Sequence, residues 1–351
     1  MTKKKSKGLS LISKAFIALG IVFIIAIGIT FTSYYLRYYG PNVNEGAEYL
    51  YIRTGSDFKD VMDSIKTKDM LKDTTTFRWA AENMDYMEKV KPGRYHLEKG
   101  MSNRKLINML KSGNQEPVKL RFQNLRMKEN LAGFVSKKLE LDSTKLVSLL
   151  DSDQLIHKYG FNKDNIYAMF IPNSYEVYWN TDADQFFERM NDEYQKFWTD
   201  ERKSKAEKIG LSPIQVSILA AIVDAEALHD DEMPTIAGLY MNRYKKGTPL
   251  QADPTVIFAN KDFTIKRVLN KYLSKESPYN TYRHSGLPPG PIMMPSINAI
   301  DAVLNYKKHN YIYMCAKEDF SGYHNFAVTA AEHQANARRF QQALDKLNIK
   351  K

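Results

Sequence analysis

From residue 15 to residue 36 the chain carries no charged side chain, and this run limits its architecture more than any other feature. The 22 positions include Phe16, Ile17, Leu19, Ile21, Val22, Phe23, Ile24, Ile25, Ile27, Ile29 and Phe31. As a helix rising about 1.5 Å per residue, the run is long enough to cross a hydrocarbon core of about 30 Å. Lys3, Lys4, Lys5, Lys7 and Lys14 precede it with no acid among the first fourteen residues. The tail is therefore expected on the cytoplasmic side of a cell (inner) membrane, with everything after Arg37 across it. Thr32, Ser33, Tyr34, Tyr35, Tyr38 and Tyr39 are expected to form an outer-interface belt. The competing reading is a cleaved leader. The run is long for one, and no small-x-small cleavage pattern follows it, so an uncleaved single-pass anchor is expected.

The composition, 351 residues with 43% hydrophobic and 26% charged, suits about two domains with real cores. Cys315 is the single cysteine, which excludes an intramolecular disulfide framework. It sits in Tyr311-Ile-Tyr-Met-Cys-Ala316, expected to be a buried strand with the thiol as a small core group. Five of the net +11 charges are tail lysines, and the remaining +6 suits an anionic envelope surface or polymer. A location across the membrane argues against a nucleic acid partner. The histidines show no His-x-x-x-His spacing, and Asp230, Asp231 and Glu232 beside His229 read as a solvated helix start. No metal and no cofactor are expected, and there is neither a Gly-rich phosphate loop nor a Gly-x-Ser-x-Gly elbow.

Gly40-Pro-Asn-Val-Asn-Glu-Gly46 reads as a short linker. After it, Tyr51-Ile-Arg-Thr-Gly-Ser56 leads into Phe58, Val61, Met62 and Ile65, and Tyr95-His-Leu-Glu-Lys-Gly-Met-Ser102 leads into Leu106, Ile107 and Leu110. Each reads as a strand, a Gly turn, a Ser cap and an amphipathic helix. With a helical stretch over 75–90 between them, they make a small module within residues 37–117. Its order of strand, helix, helix, strand fits a spacer with its own core, and it also resembles the lysin-motif modules that hold cell-wall glycans.

Residues 118–351 read as a larger α+β domain, with helices expected over 183–209, 212–227, 231–246, 297–305 and 329–347. Pro213 and Gln215 follow Ser212 as a first-turn proline and a capping-box partner. The intervening stretches 248–254, 274–295 and 318–326 are rich in Pro, Gly, Asn and Tyr, the setting in which sites are usually built. The whole is an α+β chain: residues 1–14 a basic tail, 15–36 a transmembrane helix, then the module and the larger domain.

Glu226 ends the apolar helix Ser-Pro-Ile-Gln-Val-Ser-Ile-Leu-Ala-Ala-Ile-Val-Asp-Ala-Glu. A carboxylate there must be solvated, paired or neutral, and neutrality makes a general acid near pH 7. Leu219, Ile222 and Val223 precede it on its face. Asp224 lies about 200° away around the helix and looks elsewhere. A pairing of Glu226 at the helix end with Arg243 fits equally well; spacing alone leaves both readings open.

Around it stand Asn242-Arg243, Leu250-Gln-Ala-Asp-Pro-Thr-Val256, Ser277-Pro-Tyr-Asn-Thr-Tyr282, Gly286-Leu-Pro-Pro-Gly-Pro-Ile292 and Tyr323-His-Asn-Phe326. In order and spacing these blocks resemble the endolytic murein transglycosylases of the MltG, or YceG-like, family, from the anchor to the last helix. The resemblance implies a lyase that cuts the β-1,4 bond between N-acetylmuramic acid and N-acetylglucosamine inside nascent peptidoglycan strands and terminates their elongation. It also implies a partnership with cell-wall synthases, and it carries the catalytic role to Glu226. One carboxyl suffices for that chemistry, whereas a hydrolase normally needs a second about 5 to 9.5 Å away, for which Asp253, Asp230 and Glu232 are candidates. A muramidase and a non-catalytic wall-binding scaffold are the alternatives.

Asn242, Gln251 and Asn280 are expected to bind N-acetyl or hydroxyl groups, and Tyr279 and Tyr282 to stack on sugar rings. Asp253 is expected either at the substrate or capping a turn before Pro254, and His324 at the substrate, orienting Glu226, or in a structural bond. The chain departs from the family at Tyr167 and Asn173, where acids are usual, which puts subsite preference in question more than fold.

Overall fold

The computed structural model describes residues 10–122, 125–265 and 267–346. Most of the basic tail, and the last residue of the helix expected over 329–347, lie outside the described residues. The chain forms two compact units: the first runs to Val118 and takes in Tyr178–Asn180, and the second runs from Lys119 to Val177 and resumes at Thr181.

In the first unit, α1 (Leu11–Tyr39) is the one described helix that alone is long and apolar enough to cross a membrane. The Ser10 hydroxyl caps it by accepting from the Ser13 amide at 3.2 Å. The helix runs beyond the uncharged stretch because its last turn packs on the residues that follow. Tyr38 is 7% exposed, its ring 5.0 Å from that of Trp79, and the Arg37 guanidinium lies 5.1 Å over the same indole. Tyr38 is thus a core residue of this unit and not part of an interface belt.

Residues 40–46 are not a linker either. Pro41 bridges Ser102 and Val43 bridges Leu71. Buried Asn42 donates to the Asp73 carbonyl at 2.8 Å and to Asn103 Oδ1 at 2.7 Å, and accepts from the Asp73 amide at 2.8 Å. An amide saturated by distant partners fastens the chain, and local spacing gives no sign of it.

The module continues with β1 (Tyr49–Ile52), α2 (Phe58–Thr67), α3 (Thr74–Asn83), β2 (Gly93–His96) and α4 (Asn103–Ser112). β1 and β2 pair antiparallel with Leu50 opposite Tyr95, and the apolar faces of α2 and α4 share one core. Asp57, not Ser56, caps α2 through a capping box with Asp60, because the turn runs one residue longer than the Gly suggested. Ser102 caps α4 as its spacing indicates. The helix expected over 75–90 stops at Asn83, where Asp85 turns the chain with φ 51°.

Beyond α4 come β3 (Val118–Arg121), α5 (Lys128–Ser136), α6 (Ser143–Leu150), α7 (Asp153–Lys158), β4 (Ser174–Val177), α8 (Ala183–Phe197) and α9 (Asp200–Ile209). Then follow α10 (Pro213–Glu226), α11 (Met233–Lys245), α12 (Asp253–Asn260), α13 (Asn270–Leu273), α14 (Ile297–Leu304), β5 (Tyr313–Ala316), β6 (His324–Ala327) and α15 (Ala330–Lys346). The helices and three two-stranded pairs, β1 with β2, β3 with β4 and β5 with β6, make a mixed α and β fold among the described residues. The helix expected over 183–209 is two, because Trp198 leaves the helical conformation and Thr199 caps α9.

α10 is the centre of the second unit. It meets α9 at 76° and packs against α9, α11, α12 and α14. All eight residues from Val216 to Val223 are buried, as suits a helix that is apolar all round.

Replacing Asn42 by Ala leaves the Asp73 amide and Asn103 without their partner, and is expected to lower stability by about 2–3 kcal/mol in thermal or denaturant unfolding.

Candidate active site

The start of α10 is set locally. The Ser212 hydroxyl accepts from the Gln215 amide at 3.2 Å, the Gln215 side chain accepts from the Ser212 amide at 2.9 Å, and Pro213 occupies the first turn. With the start held and the middle buried, the end falls at Glu226, where Ala227 turns extended.

Glu226 lines a cleft of about 560 Å³. Its Oε1 accepts from the Tyr240 hydroxyl at 2.7 Å, and Tyr240 is 1% exposed in α11. Burial pushes the Glu226 carboxyl up to about 7; the Tyr240 bond opposes the rise and the charge of Asp253 adds to it. The carbonyl end of α10 also disfavours negative charge there. A carboxylic acid still protonated near neutrality is poised to donate a proton.

Asp224 is directed elsewhere, as the helical period requires. Its two oxygens accept from the amide and hydroxyl of Ser296, at 2.8 and 3.0 Å, on the cap of α14. Burial raises its carboxyl while the Ser296 bonds pull it down.

Arg243 also lines the cleft but does not pair with Glu226. Its Nε donates to the Pro249 carbonyl at 2.9 Å, Nη1 to the Ile312 carbonyl at 2.8 Å, and Nη2 to Gln251 Oε1. Gln251 stands at φ 54°, its amide bonded to the Thr281 carbonyl at 3.0 Å. The buried pair Thr255 and Thr281, 2.8 Å apart, ties the Gln251 segment to the Tyr282 segment. Asp253 is the first residue of α12 and caps nothing; its Oδ1 accepts from the Tyr282 hydroxyl at 2.6 Å, and burial raises its carboxyl against that bond.

His324 on β6 is held by Glu232, which accepts from its amide at 2.8 Å and pairs with Nδ1 at 2.7 Å. Glu232 is 6% exposed, so the acidic run after His229 is not simply a solvated helix start. Tyr323 donates to Asp231 at 3.2 Å and stacks on His229 with centroids 4.1 Å apart. Gly322 turns the chain here at φ 84°, a left-handed conformation that glycine adopts without strain. The turn after α10 is thereby clamped to the loop before β6.

The cleft thus gathers Glu226, Gln251, Asp253, Tyr282 and His324. Three other expected ligand contacts are outside that lining and bonded or packed to protein groups. Asn242 donates to the carbonyls of His309 and Tyr311 at 2.7 and 2.9 Å. Fully buried Asn280 donates to the carbonyls of Leu273 and Lys275. Tyr279 packs on Phe258, centroids 4.8 Å apart, with its hydroxyl on the Asp164 carbonyl. These side chains shape loops, because each faces a neighbouring segment that has a bare carbonyl to satisfy. Asp230 bonds Asn298, so among the candidate second carboxylates only Asp253 shares the cleft lining with Glu226.

Cys315 is half-buried and lines the cleft, because β5 is only partly covered along its length. Burial raises its thiol, which leaves it protonated rather than nucleophilic. Tyr167 is buried with its hydroxyl on the Met127 carbonyl, and Asn173 Oδ1 accepts from the Ser174 amide. Sequence reasoning missed Tyr240 and His333, both in the lining. Tyr240 had a signal: a hydroxyl in the apolar run Ile-Ala-Gly-Leu-Tyr-Met needs a buried partner.

Because the folded chain holds the Glu226 proton up to about pH 7 while the unfolded chain releases it near 4.5, stability is present at low pH and falls as pH rises between these values. Glu226→Gln is therefore expected to exceed the parent in stability by about 2–3 kcal/mol at pH 8 and to match it near pH 4, measured by denaturant unfolding.

A sequence profile of the YceG-like family matches residues 50–339. An endolytic murein transglycosylase of Bacillus subtilis (strain 168) is 27% identical over 310 residues, covering 82% of this chain and 83% of its own length. An endolytic murein transglycosylase of Streptococcus pneumoniae (strain ATCC BAA-255 / R6) is 23% identical over 300 residues, 76% of this chain; the match spans 53% of that relative's length. A crystal structure of a YceG-like protein from Listeria monocytogenes has the same fold, with a TM-score of 0.55 at 22% identity over 82% of this chain and 97% of that one. With a profile match spanning most of its sequence, the chain belongs to the YceG-like family.

Proposed function

We propose that the chain is a membrane-anchored endolytic lytic transglycosylase. It cleaves the β-1,4 bond between N-acetylmuramic acid and N-acetylglucosamine in nascent peptidoglycan strands, leaves 1,6-anhydro ends and so terminates elongation. The observation that carries this reading is the Glu226 carboxyl in the cleft lining at the end of the buried helix α10, where burial pushes it up to about 7. Glu226 gives its proton to the glycosidic oxygen as the bond to C1 breaks. The carboxylate then takes the proton of the muramoyl 6-hydroxyl as that oxygen bonds C1, and no water is consumed. The names of the relatives, endolytic murein transglycosylase, support the same reaction.

In this reading Gln251, Asp253, Tyr282 and His324 hold sugar groups, and the residues taken up by loop contacts set the cleft's shape. Residues 118–351 form the catalytic domain, and residues 37–117 hold glycan as a lysin-motif-like module. α1 is the single membrane pass with its lysines in the cytoplasm, so the cleft works near the outer face, where cell-wall synthases release new strands.

One observation favours a second reading. Asp253 lies close enough for its charge to raise Glu226, and a carboxylate there suits activation of a water, which would make the chain a muramidase. Mass spectrometry of glycan strands digested by the full-length protein separates the two. Anhydro ends, lighter by one water, are expected; reducing ends would overturn the transglycosylase reading.

Glu226→Gln is expected to lower cleavage by about 10³-fold. The parent's rate is expected to fall as pH rises through about 7, where the acid loses its proton. Undiminished cleavage by the Gln variant would remove Glu226 from the mechanism.

A further inference from the structure

Among the described residues the Glu226 carboxyl has one hydrogen-bond partner, the Tyr240 hydroxyl on Oε1. Tyr240 cannot swing away. Its ring is 1% exposed, and α11 is seated closely on the segment before β5. A Cβ on Gly238 would lie 2.2 Å from the Lys307 carbonyl oxygen, so the helix backbone sits directly against that chain. The Lys307 amide bonds the Pro234 carbonyl and His309 bonds the Thr235 carbonyl, both at 2.9 Å.

A buried hydroxyl needs an acceptor, and Oε1 is the acceptor Tyr240 has. Were the proton of the carboxylic acid on Oε1, that oxygen would be a hydroxyl, a poorer acceptor than a carbonyl oxygen, and the bond the Tyr240 hydroxyl holds would weaken. We propose that Tyr240 is a positioning residue whose hydroxyl, by occupying Oε1, confines the exchangeable proton of Glu226 to Oε2, so that one oxygen both gives and takes the proton. The inference rests on Glu226 as the acid. The proton leaves Oε2 for the leaving oxygen, and the proton of the 6-hydroxyl returns to Oε2 as ring closure follows.

The same bond favours the carboxylate form and so restrains the rise caused by burial. The other titratable groups lining the cleft are Arg243 on α11, Asp253 on α12, Tyr282 in the loop after α13, Tyr313 and Cys315 on β5, His324 on β6 and His333 on α15. Of these, Asp253 acts on Glu226 in the opposite direction to Tyr240.

Tyr240→Phe removes one oxygen and keeps the ring. The protonation midpoint of Glu226 can be read by pH-difference infrared spectroscopy of the full-length protein in detergent, with Glu226→Gln as the blank. The midpoint is expected to move up by about one pH unit in Tyr240→Phe. With 3-fluorotyrosine at position 240, a more acidic donor, it is expected to move down. A midpoint that stays in place in both, or moves the other way, overturns the proposal. The alkaline limb of kcat/KM for strand cleavage is expected to follow the midpoint; lost activity with an unmoved limb would mean a merely structural role and also overturn it. The infrared reading needs no turnover, so a failure of Glu226 as acid, seen as cleavage by Glu226→Gln, is recognised separately.

Discussion

The burial of α10 is the constraint on which the second unit depends. A helix apolar on every side has its low-energy position in the middle of other helices, and α9, α11, α12 and α14 provide it. Once the middle is enclosed, the end cannot be moved independently, and Glu226 emerges where the apolar wall gives way to the cleft. The surroundings that make the helix stable are those that make a charge on its last carboxyl unfavourable. Stability of the fold and acidity of the site thus have one physical origin.

Around that helix each acid has a different partner. Asp224 accepts from Ser296 at the cap of α14, Glu226 meets Tyr240, Asp253 meets Tyr282, and Glu232 holds His324. Assigning each carboxyl its own donor keeps four acids from competing for one cation. It also leaves Arg243 to bind carbonyls and Gln251, which ties the segment after α11 to the strand side of the cleft. The cleft is consequently assembled from hydrogen-bonded loops on a rigid helical base.

The legible parts were those with a short-range physical cause. The capping box at Ser212 and Gln215, the cap at Ser102 and the divergence of Asp224 from Glu226 all follow from spacing within a few residues. Expectations failed where distant groups intervened. Asn42 lies in what reads as a linker and is buried by partners 31 and 61 residues away. Glu232 reads as solvent-facing and is buried by a histidine 92 residues away. Polar side chains near a cleft suggest ligand contacts, yet Asn242 on α11 and Asn280 in its loop serve carbonyls of neighbouring segments, since chain folded inward must satisfy its backbone somewhere.

By itself the sequence determined an uncharged run of membrane-spanning length and an apolar helix ending in Glu226 with its start fixed by Ser212. These rest on period, hydropathy and capping, which act along the chain. Only the tertiary structure decided that Tyr240, 14 residues on, would meet Glu226, that Tyr38 and Asn42 would be core, and which loop residues would face the cleft. Such choices depend on how one element packs against another, and a hydrogen bond across that contact leaves no period in the sequence.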